Sequence, residues 1–169
     1  PGLPAGHLAT RPGPIMAGED NFAITVTGRG GHASAPHLLV DPLAVSAQII
    51  LGLQSIVART VDPLESAVVS CTDVTTDGAR NAIPSTVRIT GDTRNFDPTV
   101  SALLEHRIGD IAANTAQAYG ATAEVSYTRE FTTTVNHPDA TGTAVRAARH
   151  TVRDSHCDPE TPPIMASED

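Results

Sequence analysis

Phe22, Ile24 and Val26 alternate with Ala23, Thr25 and Thr27, which is the period of a strand with one buried face. Gly28, Gly30 and Gly31 end that strand in a turn. Asp41-Pro42 marks a helix start. The Asp can cap free N–H groups, and proline at the first helical position gives up a donor that the helix does not use there. Leu43, Ile50, Leu53 and Val57 are expected to form this helix's apolar face. Glu65 to Val74 reads as a second strand, and Asp77-Gly78 as a turn or loop. In a third strand Val87 and Ile89 take the inward positions, while Arg88, Thr90, Asp92 and Arg94 have the opposite parity. Asp97-Pro98 repeats the helix start. Val100, Leu104, Ile108 and Ile111 follow at helical spacing, and Gly120 stops the helix. Ala123, Val125 and Tyr127 alternate in a fourth strand.

This order specifies an α+β fold of the ferredoxin-like βαββαβ type. One antiparallel sheet of four strands carries both helices on one face. Its other face is free to meet water, a partner or a ligand. The unit is expected over residues 19–132. Residues 1–18, rich in proline, read as a connector from another domain. Residues 133–169 read as an incomplete return segment. There Asn136-His137-Pro138 leads into a third helix rich in Ala and Arg, and a polar loop with prolines follows. Both ends of the chain look cut.

Composition removes several function classes. All 11 basic residues are Arg, and the formal charge of -8 argues against nonspecific nucleic-acid binding. No apolar run approaches about 20 residues, so no membrane span is expected. Aromatic residues make up 3% of the chain, so the core must come from Val, Ile, Leu and Ala. Cys71 and Cys157 lie far apart, without metal or redox spacing, and a cytoplasmic location is the default. Cys71 falls in an apolar strand and reads as a small core residue.

The candidate chemistry lies in three pieces. His32 sits in the glycine-rich run Gly28-Arg-Gly-Gly-His-Ala-Ser-Ala-Pro36. It is either an exposed turn residue or a donor offered to a developing oxyanion. His37 lies five residues on, but no third metal ligand is evident near the pair. Asn81, in Gly78-Ala-Arg-Asn-Ala-Ile-Pro84, is either a turn residue or an amide for a substrate carboxylate or carbonyl. Arg94, in Gly91-Asp-Thr-Arg94, either pairs with Asp92 on the strand's polar face or grips a carboxylate through two parallel hydrogen bonds. Arg80 is a weaker competitor for that task.

Taken in order, these motifs resemble the lid, or dimerisation, domain of the aminoacylase and carboxypeptidase family of two-metal peptidases. The hippurate and indole-acetyl-amino-acid hydrolase branch is the most similar. The resemblance extends to Pro1-Gly-Leu-Pro at one end and Met165-Ala-Ser-Glu-Asp169 at the other. It implies a fragment of a metal-dependent amidohydrolase that cleaves N-acyl-amino acids or related small amides. It makes the flanks pieces of a catalytic α/β domain. It assigns His32 as an oxyanion donor acting across a homodimer, and Asn81 and Arg94 as substrate-binding residues. No residue of this chain matches the family's metal ligands. The two divalent ions of the full-length enzyme, Zn²⁺ or else Mn²⁺ or Co²⁺, would be held elsewhere, and the fragment alone would be inactive. A stand-alone ferredoxin-like binding module is the alternative, as is a purely structural dimerisation unit with an idle His32.

Overall fold

The computed structural model describes residues 2–168. Pro1 and Asp169, the outer ends of the expected connector and return segment, lie outside the described residues. The chain divides into two compact units, one of residues 19–130 and one that joins residues 1–18 to residues 131–169.

The first unit is built on four long strands: β1 (Gly18–Thr27), β2 (Ala67–Thr76), β3 (Thr86–Asn95) and β4 (Thr122–Phe131). They form one antiparallel sheet in the order β2-β3-β1-β4. That order is the ferredoxin-like one, with the first and third strands central. Two helices connect them, α1 (Pro42–Arg59) and α2 (Pro98–Ala118). The side chains of Asp41 and Asp97 accept from Leu43 N and Thr99 N at 2.9 and 2.7 Å, so both helices start with an Asp cap and a proline in the first turn. Gly120 follows α2 with φ +76°, a left-handed conformation that costs glycine nothing.

A single apolar cluster fills the space between sheet and helices. It takes Phe22, Ile24 and Val26 from β1, Ile89 from β3, and Val100, Leu104 and Ile108 from α2. Ile111 and Cys71 pack against it while partly exposed. Gly52 of α1 permits a close approach to α2, because a Cβ there would sit 2.9 Å from Ile111 Cγ2.

The inward face of α1 differs from the periodicity reading. Val45, Ile49, Leu53 and Ile56 are the buried stripe, whereas Leu43 and Val57 are exposed and Ile50 is half-buried. The reason lies in composition: α1 is uncharged from Pro42 to Ala58 and apolar almost all round, so spacing alone could not choose one stripe. By length and composition α1 could also cross a bilayer, but it spends its inward stripe on the sheet.

In the second unit, short strands from residues 1–18 pair with strands from residues 131–169. Gly13–Met16 pairs antiparallel with Thr134–Asn136, and Leu8–Ala9 pairs parallel with Cys157–Asp158. Between these pairings runs α3 (Pro138–Arg149), capped by the His137 side chain. Val145, Ala148 and Cys157 form a small core of their own, with Leu8 and Val152 packed on it.

Candidate substrate-positioning site

The glycine run after β1 turns back on itself. Arg29 and Val40 exchange both backbone hydrogen bonds, at 2.9 and 3.1 Å, closing a loop that carries His32. This loop is then laid against the chain that enters β3. Gly31–His32 pairs antiparallel with Ala82–Ile83, Gly28 N donates to Ser85 O at 2.9 Å, and Ala33 N donates to Asn81 O at 3.0 Å. Gly30 has to be glycine for this contact, because a Cβ would lie 2.6 Å from Ile83 O. The Asp77 side chain accepts from Ser85 N and Thr86 N, both at 3.1 Å, and fixes the other end of the Asn81 loop. His32 and Asn81, 49 positions apart in the chain, are thereby brought side by side on backbone that is hydrogen-bonded from several directions. Both are exposed.

The His32 ring has a defined orientation. Ser34 N donates to Nδ1 at 3.2 Å, and Ser34 Oγ lies 2.7 Å from the same atom. A backbone amide can only donate, so Nδ1 is the acceptor. The neutral ring then carries its proton on Nε2, which leaves that N–H as the group to offer to a ligand. His37 is exposed within a short 3-10 turn, Pro36–Leu38, and Arg80 is exposed in the Asn81 loop.

Arg94 is placed elsewhere. It lies near the far end of β3, eight residues beyond Thr86, or about 26 Å at ~3.3 Å per residue. Its side chain is on the open face of the sheet. Arg94 Nε meets Asp92 Oδ2 at 2.6 Å and Arg94 Nη1 meets Glu19 Oε2 at 2.8 Å. The sequence suggested the Asp92 pair. It did not single out Glu19, although strand parity carried the signal: with Phe22, Ile24 and Val26 inward, Glu19, Asn21 and Ala23 face out. These side chains line a depression of about 550 Å³ together with Thr90 and Thr128.

Directly behind Glu19, Asp20 is buried and accepts from Ser101 Oγ at 2.6 Å and from Tyr127 Oη at 2.8 Å. Burial, reinforced by the neighbouring Asp20 carboxylate, pushes the Tyr127 hydroxyl up to about 12. Burial likewise raises the Cys71 thiol above its ordinary range. Among the described residues, no group of three or more His, Cys, Asp or Glu side chains converges to hold a metal ion.

Residues 18–120 match the peptidase dimerisation domain of the M20 family. The chain belongs to that family. It is 36% identical to thermostable carboxypeptidase 1 of Saccharolobus solfataricus, over 98% of this chain and 42% of that protein. It is 36% identical to hippurate hydrolase of Campylobacter jejuni, over 93% of this chain and 41% of that protein. The crystal structure of a dinuclear metal-binding peptidase of the M20 family from Bacillus subtilis superposes with a TM-score of 0.75 at 27% identity, over 99% of this chain and 41% of that one. This M20 chain thus spans about two fifths of the length of these relatives.

Proposed function

We propose that this chain is the dimerising and substrate-positioning domain of a metal-dependent amidohydrolase that cleaves N-acyl-amino acids or related small amides. The observation that carries this reading is the His32 loop. It is an exposed imidazole whose Nδ1 is taken by Ser34, leaving Nε2–H to donate, beside Asn81, on backbone clamped by the ladder to Ala82–Ile83. A donor held in place before the reaction can stabilise an oxyanion without reorganising. Asn81 then orients a carbonyl or carboxylate, and Arg94 binds the substrate's carboxylate.

Because about 26 Å of strand separates Arg94 from the His32–Asn81 pair, one small substrate cannot reach both groups of a single domain. The reading therefore calls for two copies, one lending Arg94 and the other lending His32 and Asn81. This is the homodimer with His32 acting in trans. Edge strand β2, in which Asp73 is the one charged residue, and helix α1 support it. Leu43, Ile50 and Val57 recur every seven residues on the outer side of α1, with exposed Leu51 nearby and no charge before Arg59. Edge strand β4, by contrast, carries Glu124, Arg129 and Glu130, which discourage pairing there.

Among the described residues no side chains converge as a metal pair would need, and the family resemblance assigns the ions to parts of the enzyme outside this chain. When bound there, two divalent ions, Zn²⁺ or else Mn²⁺ or Co²⁺, would activate water and polarise the amide carbonyl. The isolated chain is expected to lack hydrolase activity and to retain no metal pair after dialysis. A cytoplasmic location is part of the same reading, supported by two cysteines present as free thiols.

The test is to join this sequence to its catalytic domain and assay a panel of N-acyl-amino acids with added Zn²⁺, Mn²⁺ or Co²⁺. Release of free amino acid is the expected result. A full-length, metal-loaded protein that cleaves none of the panel would refute the assignment.

A further inference from the structure

Arg94 is outnumbered. Glu19 and Asp92, each carrying one negative charge, both contact its guanidinium, at 2.8 and 2.6 Å. Counted over these three described side chains, one positive and two negative charges leave a surplus of one negative charge. The other cation of this face, Arg88, is six residues away along β3, about 20 Å at ~3.3 Å per residue. Glu19 is held in place from behind. Its neighbour Asp20 is tied into the core by Ser101 and Tyr127, and strand alternation then turns Glu19 onto the open face. Glu19 and Arg94 side chains are still about one fifth exposed, so the pair opens towards the depression where a ligand would enter.

We propose that Glu19 is a specificity-determining residue. It occupies Arg94 until a substrate carboxylate takes its seat, and its charge turns away substrates that carry a second acidic group. This rests on the reading of Arg94 as the carboxylate-binding residue. A substrate with one carboxylate turns the Glu19 side chain aside and adds one negative charge beside it. A substrate with two must bring its second charge into a region already negative, which is discrimination by repulsion. The substrate class is therefore N-acyl-amino acids with neutral or basic side chains.

The test uses the full-length, metal-loaded enzyme. kcat and KM are measured for N-acetyl-leucine and N-acetyl-glutamate with the unaltered protein, Glu19→Gln, Glu19→Asp and Arg94→Ala. The unaltered enzyme should favour N-acetyl-leucine. In Glu19→Gln that preference in kcat/KM should shrink about tenfold, chiefly through a lower KM for N-acetyl-glutamate. Glu19→Asp keeps the charge and should keep the preference. Equal preference in all of these proteins, with Arg94→Ala still raising KM, overturns the role of Glu19 alone. An unaltered enzyme that favours N-acetyl-glutamate does the same. If Arg94→Ala leaves KM unchanged, the reading of Arg94 falls and this proposal falls with it.

Discussion

Ser101 donates its hydroxyl to the Asp20 carboxylate at 2.6 Å, across 81 residues of sequence. Tyr127 donates to the same oxygen, and Thr93 Oγ1 lies 2.8 Å from the Tyr127 hydroxyl. The network joins β1, β3, β4 and the first turn of α2 on the helix side of the sheet. Asp20→Ala would leave two hydroxyls without their acceptor and should cost about 2–4 kcal/mol, against roughly 1 kcal/mol for Ser101→Ala. Urea unfolding measures both. An unchanged midpoint for Asp20→Ala would show that the network contributes nothing.

Tyr127 adds a pH dependence. Its hydroxyl is raised from 10.0 to about 12 in the fold, so the folded state holds the proton more tightly than the unfolded chain. The associated stability is fully present below pH 10 and is lost as pH rises from about 10 to 12. A shift of this size corresponds to about 2.7 kcal/mol at full burial, and partial exposure reduces it to roughly 1 kcal/mol. Unfolding at several alkaline pH values should show a steeper loss for the unaltered protein than for Tyr127→Phe. Parallel curves would contradict the assignment.

The dimer surface is open to a direct test. Leu51 is 65% exposed on helix α1, which is uncharged before Arg59, and is not among the hydrophobic residues packed on the core cluster. Leu51→Asp should therefore leave the melting temperature of the monomer nearly unchanged while driving the two-fold dimer apart. Sedimentation at micromolar to tens of micromolar concentration reads this out. A dimer that survives Leu51→Asp points to another surface.

In the full-length enzyme, His32→Ala should lower kcat by about 10²–10³ with a smaller change in KM, because an oxyanion exists only along the reaction path. Arg94→Ala should chiefly raise KM, since the carboxylate is present before and during the reaction. Mixing His32→Ala protomers with protomers that lack a metal ligand should restore part of the activity, because one site in each mixed dimer is then complete. Mixed dimers that recover nothing would exclude action in trans.

Local chemistry made much of this protein legible without coordinates. The Asp-Pro pairs at 41–42 and 97–98 announce helix starts whatever surrounds them, because capping and proline geometry are decided within one turn. Phe22, Ile24 and Val26 reveal a half-buried strand because side chains alternate across a sheet. His32, Asn81 and Arg94 are grouped as one candidate set only by the family resemblance of their motifs. Only the tertiary structure decides how that set is divided. Strand pairing places His32 beside Asn81 and leaves Arg94 a strand's length away, a relation between distant segments that no local pattern encodes. The same holds for the inward stripe of α1, where an apolar helix offers several faces and the sheet selects one. It holds for Glu19 too, whose partner lies 75 positions away and meets it only because β1 and β3 are neighbours.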